Sequence, residues 1–558
     1  MPSPTNPLIV QGDKSLLLEV QNERYESARD ALARFAELEK SPEYIHTYRI
    51  TSLSLWNAAS SGLTAAEILA QLEDFSKYGL PSNVVRDIDE YVGRYGRVKL
   101  IREGENLIVT SEDEMLMVEI QNHKATARYL RERLDARRIL VAPGRRGYLK
   151  QALLQIGYPA EDLAGYVVGE DLPISLRLAT LGGKSFCLRH YQEEAADIFY
   201  ASGAARGGSG VVVLPCGAGK TIVGMAAMAQ LQTSTLILTP STVAVRQWIN
   251  ELVDKTSLTE DLIGEYSGLQ KDIRPVTVST YQILTYRKRG SEEFPHFGLF
   301  SARNWGLIIY DEVHLLPAPI FRITAEIQAR RRLGLTATLV REDGLEGDVF
   351  SLIGPQKYNV PWKDLEKQGW IATAICHEIR APLDESLRME YALAPKRQKY
   401  SIAAHNPRKF PIMQAILNRH VGESILVIGM YLDQLDEIAR QLNAPLITGA
   451  TPVREREKLY AGLRSGEIKI LVVSKVANFS IDLPDASVAI EISGTFGSRQ
   501  EEAQRLGRIL RPKSDGAMAH FYTVVTRETV DQTFAANRQR FLTEQGYKYE
   551  ILYENEVL

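Results

Sequence analysis

The feature that most constrains this chain is a glycine-containing loop in the sequence VVVLPCGAGKTIVGMAAMAQL, which begins at Val211. The β-branched run predicts a buried strand, and the residues from Lys220 onward predict a helix. Glycines let backbone N–H groups surround phosphate oxygens, and a helix N-terminus adds positive potential. In such loops the lysine reaches the β- and γ-phosphates, and the next hydroxyl binds Mg²⁺. The stretch therefore predicts a site for a nucleoside triphosphate.

One position departs from the consensus of phosphate-binding loops. Leu214 stands where the consensus has its first glycine, so Gly217 and Gly219 are the loop glycines. On this stretch alone, an ordinary strand, turn and helix remains the alternative. The predicted nucleotide-binding residues of the loop are Leu214, Pro215, Cys216, Gly217, Ala218, Gly219, Lys220 and Thr221.

A second motif, LIIYDEVH, begins at Leu307 and strengthens this prediction. Its apolar run predicts a neighbouring buried strand that ends in two acids. A carboxylate at such a strand end can hold Mg²⁺, and the next one can polarise the attacking water. We therefore predict that Asp311 and Thr221 bind the metal, that Lys220 and Glu312 are catalytic, and that the cofactors are ATP and Mg²⁺.

Length and composition bound the remaining possibilities. A chain of 558 residues predicts three or four domains, and a net charge of −3 means that any nucleic-acid surface must be local. The three cysteines are far apart in sequence, which argues against a disulfide framework, a four-cysteine zinc site and a four-cysteine iron–sulfur cluster. Without a basic leader or an apolar run of membrane-spanning length, the sequence predicts a cytoplasmic protein with no membrane partner.

Residues 1–115 are predicted to form a winged-helix-like domain. Thr64 and Glu67 match a capping box that opens an amphipathic helix, and a second helix pattern covers about 82–95. Two short strand patterns, VKLIRE and LIVTSE, follow them. Units with two helices and a hairpin bind DNA or dock other proteins, and the sequence leaves both roles open.

Residues 116–182 are predicted to form a small basic α/β domain. From Lys124 to Lys150 the chain has nine basic residues and two acidic ones. The pattern predicts a helix in ATARYLRERL, a strand in RRILVAP and a helix in RRGYLKQALLQIG. This charge suits either a solvated face or a surface for duplex phosphates, for which Arg145 and Arg146 are the candidate contacts.

Two series of alternating strands and helices follow, at 183–365 and 366–558. The alternation predicts an α/β fold with two doubly wound parallel sheets and ligand-binding loops at the strand carboxyl ends. The second series has no phosphate loop. It contains QRLGRILRP, in which Arg505, Arg508 and Arg511 are three residues apart. Such a row suits a surface salt-bridge network or arginine fingers that stabilise a transferred phosphoryl group.

These motifs, in this order, resemble those of superfamily 2 helicases with two RecA-like motor domains, and the resemblance covers about 186–558. More closely, the chain resembles the XPB (Rad25/Ssl2-like) DNA repair helicase family in its bacterial form. The matching stretches are LRHYQ at 188–192, LPCGAGKT at 214–221, DEVH at 311–314, GLTATLVRED at 334–343, SKVANFSIDLPDA at 474–486, GSRQEEAQRLGRILRP at 497–512 and RQRFLTEQGYKYEIL near the end. Motif V departs slightly, because Ala477-Asn478-Phe479 replaces the usual Gly-Asp-Thr.

The resemblance implies roles for further residues and segments. The basic segment would be a damage-recognition-like domain, and a thumb-like insertion would lie near 383–409. Thr336 and Thr338 would link the ATP and DNA sites. The implied nucleotide contacts are Arg189, Gln192, Asp482 and Gln504, with Arg508 and Arg511 as catalytic arginines. The implied DNA contacts are Thr239, Ser279, Thr280, Arg341, Glu342, Asp343 and Gly429.

The function implied by the resemblance is that of an ATP-dependent 3′–5′ DNA helicase in nucleotide excision repair. Its partners would be duplex, forked or single-stranded DNA and a nuclease, and it would act as a monomer. Two alternatives share these motifs. One is a duplex translocase or branch-migration motor that steps without stable unwinding. The other is a DNA-binding scaffold whose ATPase only switches conformation within a repair or transcription assembly.

Overall fold

The structure, a computed structural model, divides into two compact units. The first comprises residues 1–214 and 219–360, and the second comprises residues 215–218 and 361–558. No described helix is long and apolar enough to cross a membrane. The residues that the structure describes are 2–41, 44–204, 207–215, 217–288, 294–327, 330–337, 346–360, 362–474, 486–494, 518–547 and 549–558.

The first 95 residues combine a four-stranded antiparallel sheet with four helices around one apolar core. The elements are β1 (Leu8–Val10), β2 (Ser15–Glu19), α1 (Tyr25–Leu32), β3 (Glu37–Lys40), β4 (Ile45–Arg49), α2 (Ser52–Ser60), α3 (Ala65–Phe75) and α4 (Ser82–Arg94). The strand order is β1-β2-β4-β3. The capping box predicted at Thr64 and Glu67 is present at the start of α3.

The next sheet has five strands in the order β7-β8-β6-β5-β9. Its elements are β5 (Lys99–Glu103), β6 (Asn106–Thr110), α5 (Glu114–Asn122), β7 (Leu130–Arg133), β8 (Arg138–Val141), α6 (Arg146–Gln155) and β9 (Glu161–Asp162). The β5–β6 hairpin, expected as the wing of the first domain, thus pairs with β8 and β9 instead. The hairpin is thus part of the five-stranded sheet, and the predicted domain boundary near residue 115 stays a prediction.

The helix predicted for ATARYLRERL is wrong. A helix ends earlier, at Asn122, and the buried hydroxyl of Thr126 donates to the carbonyls of Ile120 and His123, which turns the chain. A short 3₁₀ turn at Ala127–Tyr129 leads into β7, which pairs antiparallel with β8. The sequence LRER therefore forms a strand that pairs with β8, although its residues favour helix when taken alone.

A seven-stranded, wholly parallel sheet forms the centre of the first unit, in the order β12-β13-β11-β14-β15-β10-β16. Its strands are β10 (Ser209–Val213), β11 (Thr235–Thr239), β12 (Ile263–Tyr266), β13 (Val276–Thr280), β14 (Leu307–Asp311), β15 (Arg331–Thr336) and β16 (Gln356–Asn359). Its helices are α7 (His190–Tyr200), α8 (Lys220–Leu231), α9 (Thr242–Lys255), α10 (Tyr281–Leu284), α11 (Ala318–Glu326) and α12 (Glu346–Asp348). Strands β10, β11 and β13 are buried on both faces, as a helix-covered parallel sheet requires.

The second unit contains another seven-stranded parallel sheet, in the order β19-β20-β18-β21-β22-β17-β23. Its strands are β17 (Ala374–Ala381), β18 (Ile425–Gly429), β19 (Leu446–Ile447), β20 (Ile470–Ser474), β21 (Val488–Glu491), β22 (Ala519–Thr526) and β23 (Tyr549–Tyr553). Its helices are α13 (Trp362–Lys367), α14 (Glu385–Leu393), α15 (Lys396–Ala404), α16 (Lys409–Arg419), α17 (Leu432–Leu442), α18 (Val453–Ser465), α19 (Val530–Glu544) and α20 (Glu554–Val557). The two predicted doubly wound sheets are confirmed. The range 383–409 contains α14 and α15, and its role as a thumb-like insertion stays a prediction.

A buried ionic cluster joins the five-stranded sheet to the central sheet of the first unit. Asp162 accepts from Arg146 at 2.6 Å and lies 3.1 Å from the ammonium of Lys150, and all three side chains are buried. Arg332, on β15, is completely buried, and its guanidinium lies over the ring of Tyr166. Burial lowers the pKa of Lys150 to about 8, although Asp162 opposes this shift. Asp162 therefore compensates a concentration of buried positive charge.

We expect Asp162→Asn to destabilise the first unit by about 3–5 kcal/mol, because removing one partner of a buried ion pair leaves an uncompensated charge. Urea unfolding followed by tryptophan fluorescence measures the effect. Asp135→Asn is the matched control, since Asp135 pairs with Arg138 at the surface, and its unfolding midpoint should hardly move. Equal midpoints for the two variants would contradict the assigned role of the cluster.

Candidate active site

The glycine loop follows β10 at the carboxyl edge of the first parallel sheet. Gly217 and Gly219 have φ angles of 80° and 83°, a region that favours glycine, and α8 begins at the next residue, Lys220. A Cβ atom on Gly219 would lie 2.5 Å from the side-chain nitrogen Nε2 of Gln192, so this glycine also packs closely against that side chain. The two glycines thus have backbone conformations that suit phosphate binding, and Gly219 directly precedes a helix N-terminus.

Leu214 extends the sheet beneath the loop. Its side chain is completely buried, and its N–H donates to the carbonyl of Thr336 at 3.0 Å. This N–H is therefore already engaged within the sheet. The residue at the consensus glycine position is therefore a buried leucine directly after β10, and its contact with nucleotide stays a prediction.

The two acids of the second motif lie at the end of β14. Asp311 is the last residue of the strand, and Glu312 has a left-handed backbone with φ of 49°. The ammonium of Lys220 lies 3.3 Å from Oε1 of Glu312, and both side chains are largely buried. The structure thus brings the predicted lysine and the predicted general base into direct contact.

Burial and neighbouring charges shift the pKa values of these two acids in opposite directions. Burial, followed by the charge of Glu312, raises the pKa of Asp311 to about 6. Burial also opposes ionisation of Glu312, but the charge of Lys220, followed by that of His314, outweighs it and lowers the pKa of Glu312. Glu312 is thus held as the anion, as a general base must be.

One oxygen of Glu312 is suited to a water molecule. Oε2 is buried and accepts no hydrogen bond from the residues that the structure describes, although Nδ1 of His314 lies 3.5 Å away. Buried acceptors usually have a partner, which is often an ordered water. Nδ1 of His314 also lies 2.6 Å from the hydroxyl of Thr336, so the acid motif is connected to the end of β15.

The donor set fits Mg²⁺ held jointly by protein and nucleotide. Within the described ranges, no group of three histidine, cysteine or acidic side chains could hold a metal ion alone. Thr221 and Asp311 supply one hydroxyl and one carboxylate at the same edge of the sheet. Mg²⁺ is typically bound by one or two carboxylates together with substrate phosphates and water, and this set matches that pattern.

The residues predicted to contact adenine lie beside the loop at the start of α7. The side-chain oxygen of Gln192 accepts from the N–H of Arg189 at 3.0 Å, and Gln192 is buried. A guanidinium nitrogen of Arg189 donates to the hydroxyl of Tyr191 at 3.0 Å. These bonds hold both side chains at the start of α7, and their contact with adenine stays a prediction.

The residues predicted to track DNA in the first unit are buried. Thr239 ends β11, and its hydroxyl donates to the carbonyl of Ser279 at 3.2 Å. Thr280 caps α10 by accepting from Ile283. Gly429, in the second unit, lies so close to Leu435 that a Cβ atom would meet it at 2.7 Å. These residues shape the strand ends, so any DNA contact there involves their backbone or a rearrangement.

Two contacts to Asp311 were missed by sequence reasoning. The indole N–H of Trp248, on α9, donates to Oδ2 of Asp311 at 2.9 Å. The hydroxyl of Tyr281 donates to the backbone carbonyl of Asp311 at 2.8 Å. One weak signal for these contacts is present in the sequence: Trp248 and Tyr281 are aromatic residues at or after the ends of two predicted strands.

Several predicted residues lie outside the described part of the chain, so their roles stay predictions. In the first unit they are Thr338 and the charged triplet Arg341, Glu342 and Asp343. In the second unit they are Cys216, Asp482, Gln504, Arg508 and Arg511.

The basic segment divides into paired and exposed residues. Arg133 bonds to Gln121 and to backbone carbonyls, Arg137 and Arg138 pair with surface acids, and Arg146 and Lys150 are buried with Asp162. Four further basic residues are exposed and take no part in the contacts just named, and we call them the basic surface: Lys124, Arg128, Arg131 and Arg145. The prediction that Arg146 contacts DNA is therefore wrong.

Three family models match separate parts of the chain. The model described as ERCC3/RAD25/XPB C-terminal helicase matches residues 365–558. The model described as Helicase conserved C-terminal domain matches residues 8–135, and that of the Type III restriction enzyme, res subunit, matches residues 185–341.

Curated relatives match along nearly the whole chain. The chain is 55% identical over 552 residues to the DNA 3′-5′ helicase XPB of Kineococcus radiotolerans, covering 99% of this chain and 97% of that protein. It is 56% identical over 553 residues to the DNA 3′-5′ helicase XPB of Mycobacterium tuberculosis, with coverages of 99% and 98%. It is 34% identical over 564 residues to the General transcription and DNA repair factor IIH helicase/translocase subunit XPB of Encephalitozoon cuniculi, with coverages of 98% and 83%.

We expect Glu312→Gln to lower the rate of ATP hydrolysis by about 10²–10⁴-fold while ATP still binds, because the amide keeps the shape of the side chain but cannot accept a proton. Single-turnover hydrolysis and nucleotide titration separate the two effects. Glu260→Gln, at an exposed position of the same unit, should change neither. Weaker ATP binding with normal turnover would assign Glu312 a structural role.

Proposed function

The chain belongs to the XPB family of DNA helicases, and we propose that its first unit hydrolyses ATP through Lys220, Thr221, Asp311 and Glu312. As a member of this family it is an ATP-dependent 3′–5′ DNA helicase of DNA repair. The observation that carries the proposed site is the 3.3 Å contact between Lys220 and Glu312, at the edge of the sheet where the glycine loop ends.

Each residue of the site has a distinct proposed task. Gly217, Gly219 and the N-terminus of α8 bind the phosphates, and Lys220 leaves Glu312 to contact the β- and γ-phosphates. Asp311 and Thr221 would hold Mg²⁺, which when bound neutralises charge on the phosphate oxygens. Glu312, whose pKa is lowered, orients the attacking water and accepts its proton.

A connection from this site toward DNA begins at His314. Its ring bonds to Thr336 at the end of β15, and the predicted charged triplet 341–343 follows a few residues later in the chain. We propose that the state of Glu312 reaches the DNA-contacting segments through this bond. Arg508 and Arg511 remain the proposed catalytic arginines, on the resemblance of QRLGRILRP alone.

The basic surface is the proposed contact for DNA phosphates within residues 99–162. Its centre is a stacked pair, Tyr129 and Tyr148, with ring centroids 5.9 Å apart. Arg128 lies over Tyr129 at 4.7 Å and Arg145 over Tyr148 at 5.4 Å, so both guanidinium groups are held by cation–π contacts. Positive charge held in fixed positions reduces the entropy lost when a phosphate binds.

Forked DNA tests the helicase function against both alternatives. The parent protein should displace a strand with ATP but not with a non-hydrolysable analogue, and Lys220→Ala should abolish displacement because the phosphates lose their cation. A duplex translocase would hydrolyse ATP without displacing the strand. A switching scaffold would hydrolyse negligible ATP per base pair opened. Either the translocase result or the scaffold result would contradict ATP-driven unwinding. Duplex, forked and single-stranded DNA are the proposed partners, together with a nuclease.

We expect the double variant Arg128→Ala/Arg145→Ala to weaken DNA binding and to reduce the slope of log affinity against log salt by about two, since each lost duplex phosphate contact removes about 0.9. Arg146→Ala is the matched control, because this arginine is buried with Asp162. It should lower stability and leave the salt slope unchanged. An unchanged slope in the double variant would mean that the basic surface is only solvated.

A further inference from the structure

Trp248 connects three segments of the ATP site that are distant in sequence. It lies on α9, is 1% exposed, and donates its indole N–H to Oδ2 of Asp311 at 2.9 Å. The far edge of the same ring packs on α8 at Gly224, where a Cβ atom would lie 2.6 Å from the indole. The helix that begins at Lys220 and the carboxylate that ends β14 therefore share one buried side chain.

The segment that carries Trp248 is fixed at its own N-terminus. Ser241 caps α9 by accepting from Ala244 at 3.2 Å, and the hydroxyl of Thr239 donates to the carbonyl of Ser241 at 3.1 Å. The position of the indole is thus determined by the end of β11 as well as by the packing on α8. A donor held in this way restricts the orientation of the carboxylate that it contacts.

Hydrogen bonds to a ligating side chain orient it and tune its affinity for a metal. Oδ2 of Asp311 receives the indole N–H, and Oδ1 accepts from the N–H of Glu312 at 3.1 Å. The two bonds fix the plane of the carboxylate, and each oxygen keeps lone-pair capacity for a cation. We propose that Trp248 is a positioning residue that orients Asp311 for Mg²⁺ in the nucleotide complex, an inference that rests on the proposed ATP site.

A purely structural role is the competing interpretation, because a buried indole N–H usually finds some acceptor. Trp305 provides the matched comparison in the same unit. It is completely buried and donates its N–H to the backbone carbonyl of Leu299 at 2.9 Å. Trp248→Phe and Trp305→Phe thus delete the same chemical group from equally buried positions, but only the first removes a bond to a predicted metal ligand.

The first experiment measures binding without turnover. A fluorescent ADP is titrated into each protein with EDTA, and then Mg²⁺ is titrated at fixed nucleotide. We expect Trp248→Phe to raise the half-saturating Mg²⁺ concentration by about 10–100-fold, the usual effect of removing such a partner, and to leave affinity in EDTA unchanged. Trp305→Phe should keep the parent Mg²⁺ requirement even if its melting temperature falls.

The outcomes separate this inference from the proposed function. If the parent shows no Mg²⁺-dependent binding of ADP, the proposed ATP site itself fails. If the parent binds with Mg²⁺ and Trp248→Phe has the same Mg²⁺ requirement, the positioning role is overturned. An equal rise in both tryptophan variants would also overturn it, because the effect would then follow from lost stability alone.

Indole spectroscopy tests the same contact in the unaltered protein. The chain has five tryptophans, so ¹⁵N labelling of their indoles gives five signals, and Trp248→Phe identifies one by its loss. That signal should shift when Mg²⁺ is added to the ADP complex and should not shift in Asp311→Asn. If Trp248→Phe does not fold, Asp311→Asn identifies the signal by removing the charge of its acceptor. A signal that stays unmoved while Mg²⁺ and ADP bind would overturn the proposal.

Discussion

The proposed active site depends on two adjacent carboxylates held at the buried end of one strand. Burial and mutual repulsion both oppose their ionisation, and burial with the charge of Glu312 raises the pKa of Asp311 to about 6. The ammonium of Lys220, 3.3 Å from Glu312, offsets this repulsion for one acid of the pair. The glycine loop, the N-terminus of α8 and the strand end must therefore meet at the same edge of the sheet, and a parallel sheet places them there.

Much of this arrangement could be predicted because it depends on local patterns. The apolar runs of β10, β11 and β14 bury both faces, and such runs are visible in sequence. Two motifs at strand ends predicted that Lys220 and Glu312 belong to one site, although not that the two side chains contact each other. The bond from Trp248 to Asp311 could not be predicted, because it depends on how far α9 extends and which face packs on α8. No short sequence pattern indicates either the length of α9 or the face that it packs on α8.

The basic segment shows where counting charges fails. Arg145 and Arg146 are neighbours with the same side chain, yet one lies exposed over Tyr148 and the other is buried against Asp162. Asp162, which pairs with Arg146, lies sixteen residues later in the chain. The two side chains meet because β9, which contains Asp162, pairs with β5. Sequence reasoning gave the correct total of positive charge. It could not tell which of these residues pair with a buried acid and which are exposed to solvent.

The central strand β15 is held at both of its ends by polar contacts in the protein interior. Near one end, Arg332 donates to the carbonyl of Leu352 at 2.7 Å, and its guanidinium lies over the ring of Tyr166. At the other end, the hydroxyl of Thr336 contacts His314. A shift of one residue would exchange the two faces of the strand and break both contacts at once. This strand is consequently a poor place for an insertion or deletion, so length variation among homologous chains should accumulate in the connections on either side of it.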